Sequence, residues 1–194
     1  MSLMRLSAMF CVGMACHFAA ADTADPFNQS RLAANELGAA LKSRLIAAVQ
    51  EGGMIGAIAV CQEEAPRLAR EISESRGVTV RRVSDRTRNP VNRPSDREAI
   101  GLARLEAQLG EGADPSTLEW AEVGEAGHGE TELRFLKPII VDALCLACHG
   151  RDIDPSLQAV LAERYPGDLA TGYELGQLRG AFSVTIRSLA DAAP

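Results

Sequence analysis

The sequence predicts an α+β domain: an antiparallel sheet with flanking helices and a long helix at its N-terminal end. Three observations carry this expectation. Apolar residues recur at spacings of three and four through the first third of the chain, the mark of amphipathic helices. Short alternating segments follow further on, two of them joined by a glycine-punctuated loop that suits a hairpin. The helices that fall among those segments do not build the doubly wound pattern of a parallel sheet.

The N-terminal stretch MSLMRLSAMFCVGMACHFAAADTADPF has one cation, Arg5, an uncharged and largely apolar run through Ala20, and small residues Ala19-Ala20-Ala21 before Asp22. This is the pattern of a secretory signal peptide, which assigns residues 1–21 to a cleaved leader and 22–194 to a single domain. The leader is short and interrupted by small residues, so it is not expected to remain as a stable membrane anchor. Neither Cys11 nor Cys16 follows a convincing lipobox, and both leave with the leader, as does His17.

Asp25-Pro26 caps and opens the first helix, whose Leu37, Leu41, Leu45 and Ala48 form one stripe to about Gln50; Gly52-Gly53 is expected to end it. A second stripe, Ile58, Cys61, Ala65, Leu68 and Ile72, turns Cys61 inward, with Pro66 kinking or splitting the helix just after it. Gly77 closes that helix, and GVTVRRVSD reads as a strand. The loop DRTRNPVNRPSD, with Arg86, Arg88 and Arg93, is turn-rich. Asn89 and Asn92 are expected to organise its turns. Ser95 caps a helix through Ile100, Leu102, Leu105 and Leu109. Strands at about Leu118–Val123 and Thr131–Ile140 flank the loop GEAGHGE. Asp154-Pro155 opens a helix toward Arg164, YPGD breaks it, and GAFSVTIR is the last strand.

The formal charge of −6 becomes −7 once Arg5 is removed, which argues against nucleic acid or anionic membrane as partner and leaves basic redox proteins open. Beyond the leader the chain has Cys61, Cys145 and Cys148, an odd number that excludes a disulfide scaffold. Its remaining histidines are His128 and His149, and its remaining methionine is Met54.

The run CLACHG, Cys145 to Gly150, contains Cys-x-x-Cys-His. In that order two thiols can add across the vinyl groups of a haem while the adjacent imidazole binds its iron. Export supports this reading, because c-type haem is attached outside the bacterial cytoplasm. Zinc would need a fourth ligand from Cys61 or His128, and a thioredoxin-like dithiol belongs early, after the first strand of a βαβ unit. One covalently attached haem c is therefore expected, on Cys145, Cys148 and His149. The motif sits about three-quarters along the chain, unlike small all-helical cytochromes that carry it near the N-terminus. The sixth iron ligand has three main candidates, with a lysine or water as minor ones. Cys61 otherwise reads as a small buried hydrophobe, His128 as a solvated loop residue and Met54 as core. Arg82, Arg86, Arg88 and Arg179 are candidate partners for the haem propionates, against the alternative of a solvated basic face.

AIAVCQEEAP (57–66), VRRVSDRTRNPVNRP (80–94), LRFLKPI (133–139), CLACHG (145–150), YPGDLATGY (165–173) and GQLRGAFSV (176–184) together resemble a family of exported or membrane-tethered single-haem c-type proteins. Those have a PAS-like fold and were long catalogued as a domain of unknown function. The resemblance implies a haem in the PAS-like pocket, ligated by His149 and by the thiolate of Cys61, in a redox or small-gas (NO or CO) sensing role. A thiolate suits ferric iron better than ferrous, so reduction would loosen Cys61 and admit a gas. The alternative is a small periplasmic electron-transfer cytochrome. No segment is left over for an output domain, so a signal would pass to a separate redox or signalling protein. No Ser-His-Asp set, paired-acid motif, P-loop or Gly-x-Gly-x-x-Gly fingerprint points to an enzyme.

Overall fold

The computed structural model describes residues 25–127 and 129–189; the expected leader, residues 1–21, and His128 lie outside the described residues. Helix α1, Pro26–Ala59, begins where Asp25 accepts hydrogen bonds from the backbone N–H groups of Phe27 and Asn28, with Pro26 in the first turn. At Gly52-Gly53 the run breaks into two helical segments that meet at a kink, as the sequence predicts. Gly53 alone leaves helical geometry (φ 66°, ψ −169°), a conformation open to a residue without Cβ, and the helical course then resumes. Burial of Ala57, Ile58 and Val60 beyond the kink accounts for that return.

Cys61 lies in a single π-helical turn, Val60–Glu64, in which the Ala65 N–H bonds the Val60 carbonyl five residues back. The adjacent Pro66 explains the widening: it has no N–H to give, and in an α-turn its ring would crowd the Gln62 carbonyl. Helix α2, Ala65–Arg76, carries Pro66 in its first turn and closes on Gly77 at φ 64°. The split expected near Pro66 thus contains the cysteine instead of following it.

Strands β1 (Thr79–Val83), β2 (Trp120–Gly127), β3 (Glu130–Ile140) and β4 (Leu178–Leu189) form one antiparallel sheet in the order β1-β4-β3-β2. The expected α+β class, with flanking helices and a long N-terminal helix, is the observed one. Val80 and Val83 are three apart on β1 and so serve opposite faces. On one face Val80, Phe135 and Val184 pack against Ala33, Ala34 and Leu37 of α1 and Ile72 of α2. On the other, Val83, Leu136 and Ala181 pack against Leu102 and Leu105 of α3, Asp96–Gly110. Ile100 is on the solvent side of α3, 59% exposed. Between β3 and β4 the chain makes an excursion through α4 (Ala143–His149) and α5 (Pro155–Arg164), and this excursion holds the Cys-x-x-Cys-His motif.

Ser95 and Glu98 form a capping box at the start of α3. Glu98 is 2% exposed, and it accepts hydrogen bonds from Arg81 Nη2 (2.8 Å), Ser183 Oγ (2.7 Å) and Ser95 N (2.8 Å). Burial works against its charge, but the bonds from Arg81, Ser183 and Ser95 win and hold its pKa at about 2, below the usual 4.5. The depressed folded-state value means that Glu98 stabilises the fold fully above the unfolded pKa, and that this is lost as pH falls from about 4.5 to about 2. At 1.36 kcal/mol per unit the contribution is at most about 3 kcal/mol. Glu98→Gln is therefore expected to lower stability at neutral pH by about 2–3 kcal/mol and to flatten the acid limb of urea-unfolding free energy against pH. Identical acid limbs in variant and parent would contradict this.

Candidate cofactor site

The site is built on α4, a helix of seven residues whose first turn is capped by Asp142. Asp142 Oδ1 accepts both the Cys145 backbone N–H and the Cys145 thiol, each at 3.2 Å. Cys145, Cys148 and His149 stand at i, i+3 and i+4, so one face of the helix presents all three. Burial raises the pKa of both Cys145 and Cys148, which keeps them as thiols at neutral pH.

His149 is oriented by the loop after α5. Its Nδ1 is 2.6 Å from the Ala170 carbonyl oxygen; a carbonyl can only accept, so Nδ1 carries the proton and Nε2 keeps its lone pair. The His149 and Gly150 carbonyls accept from Tyr173 N (2.9 Å) and Gly172 N (2.8 Å). The Tyr173 ring lies edge-on, 6.4 Å from the imidazole. Burial first, then the charges of Arg179 and Arg88, pushes the pKa of His149 down to about 3, so the ring is neutral and fit to act as a ligand.

All three motif side chains line a cavity of about 390 Å³, within the range of small-molecule sites. Leu41, Leu45 and Val49, one turn apart on α1, form an apolar wall, with Ile139 from the sheet and Leu161 and Tyr165 from the excursion. The helical run Pro26–Arg76 is long and apolar enough to cross a membrane by length and composition, and this wall accounts for part of its apolar character. Cys61 lines the same cavity, as does Met54, and Met54 packs in the cluster of Ile58, Leu157, Leu161 and Tyr165.

Three of the four candidate arginines line the cavity: Arg82, Arg88 and Arg179. Arg82 Nη2 donates to the Cys61 carbonyl at 3.4 Å. Arg179 Nη1 donates to Ser84 Oγ at 2.8 Å, while its Nε is buried without a partner. Arg88 is 8% exposed and pairs with Asp168 at 2.8 Å. Arg86, grouped with them from sequence, does not line the cavity. Its guanidinium donates to the Leu169 and Thr171 carbonyls and stacks 4.1 Å above the Tyr173 ring, which commits it to holding that loop.

The family model Tll0287-like matches residues 14–187. The chain belongs to the Tll0287-like family. Among solved structures, that of the cyanobacterial haem-protein Tll0287 is similar, with 26% sequence identity, a TM-score of 0.62, and coverage of 87% of this chain and all of that one. A search of curated proteins finds no match.

In this Tll0287-like chain the donor set has a particular chemistry. Among the described residues no three His, Cys, Asp or Glu side chains group to hold a bare metal ion. One imidazole and one further sulfur on a single apolar cavity instead suit an iron that brings four porphyrin nitrogens of its own. The arginine cluster, with an orphaned buried Nε at Arg179, suits an anionic group at the cavity. Sequence reasoning missed Asp142, although an Asp three residues before Cys145 is a helix-cap signature. It also missed Asp168 and the Ala170 carbonyl, whose roles arise from contacts across some 20 residues of chain or more.

Proposed function

We propose that the chain is an exported c-type haem protein, with one haem joined covalently to Cys145 and Cys148, that senses redox state or a small gas such as NO or CO. One observation carries this reading: a single apolar cavity receives the motif's two thiols, its neutral imidazole, and the thiol of Cys61 from a separate element. Haem would supply an iron that changes oxidation state.

The residues divide the work. His149, tied through Nδ1 to Ala170, would offer Nε2 to the iron. Asp142 holds the Cys145 thiol and the start of α4. Arg82 and Arg179 supply donors to the propionates. Cys61 would be the weaker holder of the iron, because a thiolate would lose much of its advantage as the iron's charge falls, and a site held this way would suit a neutral diatomic gas. Residues 1–21 direct the chain to the periplasm, where its acidic surface suits a basic redox or signalling partner. No catalytic step is assigned to it.

The Cys61→Ser variant tests the ligand set. The haem stays attached, since both thioether cysteines remain, but the low-spin thiolate signature in optical and EPR spectra disappears. An unchanged spectrum removes Cys61 from the iron. Redox titration of the parent protein then separates sensor from carrier. A sensor loses its thiolate band on reduction and binds CO, whereas an electron carrier stays six-coordinate and low-spin in both states.

A further inference from the structure

Arg88, Asp168, Ala170 and His149 form a closed chain of contacts. Arg88 Nε donates to Asp168 Oδ2 at 2.8 Å, and Asp168 Oδ1 accepts the Ala170 N–H, also at 2.8 Å. Arg88 Nη2 then reaches the Cys148 carbonyl and, at 3.5 Å, the Ala170 carbonyl. That second carbonyl is the one that accepts from His149 Nδ1. The pair is nearly dry, with side-chain exposures of 8% and 12%. The loop has a further tie, Leu169 N to the Thr87 carbonyl at 2.9 Å, beside Arg88 in sequence.

We infer that the buried Arg88–Asp168 pair is a positioning lock for His149, fixing the imidazole plane and setting the iron's redox balance through the Ala170 carbonyl. This rests on the haem reading above and gives Arg88 a task other than binding a propionate. The physical argument is local. Asp168 fixes where the Ala170 peptide sits, and that carbonyl fixes the ring. Hydrogen bonding at the far nitrogen controls how basic the ligating nitrogen is. A cation at the same carbonyl competes for its electron density, so Arg88 limits how far the imidazole becomes imidazolate-like. Its charge also disfavours the ferric state, and the charge of Asp168 favours it. The two members of the lock therefore act on the redox balance with opposite sign and on ring geometry with the same sign.

Two variants of the full chain, Arg88→Gln and Asp168→Asn, loaded with haem, separate these effects. At fixed ambient potential Arg88→Gln should shift the ferric-to-ferrous ratio about tenfold toward ferric, and Asp168→Asn about tenfold toward ferrous, each equal to about 59 mV for one electron. Both should change the low-spin EPR g-values, because both free the imidazole plane. Should Arg88→Gln fail to accumulate, Arg88→Lys carries the test: it keeps the charge but not the fork, so it should leave the potential near the parent's and still alter the g-values. Unchanged g-values in the folded variants overturn the lock, and a potential shift without a g-value change reassigns Arg88 to a propionate. A parent protein that takes up no haem overturns the haem reading itself and the lock with it. A haem-loaded parent with unaffected variants overturns the lock alone.

Discussion

The double variant Cys145→Ala, Cys148→Ala will carry no covalent haem: after expression with a cytochrome-maturation system its mass will equal that of the bare polypeptide, and no haem will survive denaturing electrophoresis. The loss should be complete, because a thioether needs a sulfur beside the vinyl group and these two cysteines share one face of α4 with the His149 imidazole. Cys61 cannot substitute, since it sits on a different element and has no adjacent histidine. Each single variant should retain one bond, and with it a mass higher by one haem. The cavity wall of Leu41, Leu45 and Val49 and the proposed ligand His149 persist in the double variant, so reversible haem uptake and a Soret band are expected to remain. Covalent haem in the double variant, or none in the parent, defeats the reading.

Gly180→Ala should be the most damaging single substitution to the fold. Gly180 opens the central strand segment that pairs with the end of β1, and its φ of 150° lies outside the range favoured by L side chains. A Cβ there would stand 2.2 Å from the Val83 carbonyl oxygen and 3.0 Å from Ser84 Cβ. The first of these is backbone within the sheet, so nothing can swing aside. Relief requires β4 to separate from β1 next to the bulge between Ile139 and Ile140. A cost of about 3–5 kcal/mol is expected in urea unfolding, at the upper end for point substitutions. Haem loading should fall as well, because Ser84 and Arg179 line the cavity beside it. Gly110→Ala, where nothing lies within 4 Å of the added Cβ, is the matched control and should stay within about 1 kcal/mol of the parent. Equal effects of the two would refute the steric argument.

How much of this was legible beforehand differs from element to element. The caps at Asp25 and Ser95 and the hairpin of β2 and β3 were readable because each depends on neighbours in sequence. Gly52-Gly53 marked the break in the first helical run, which falls at Gly53. What the pair did not show is how soon the next helical segment starts, which burial of Ala57 and Ile58 just beyond the kink decides. Pro66 correctly marked a disruption beside Cys61, but because its ring crowds the carbonyl four residues back, the widened turn falls on Val60–Glu64 and encloses the cysteine instead of following it. Arg86 and Arg88 are two residues apart in one loop and looked equivalent. One stacks on Tyr173 and the other is buried against Asp168, a distinction made by a loop some 80 residues away.

The chain's own order of residues determined the chemistry on offer: two thiols and an imidazole at spacings that any helix turns to one side, a third inward-facing cysteine, and the α+β class through its changing apolar period. Tertiary structure decided what that chemistry faces. Only folding brings the π-turn, the apolar wall of α1 and the arginines of β1 and β4 around α4, and only folding aims the Ala170 carbonyl at Nδ1 of His149. The reason is physical: periodicity and capping are set within a few residues, whereas the burial and field around a ligand are set by whichever distant segments pack beside it.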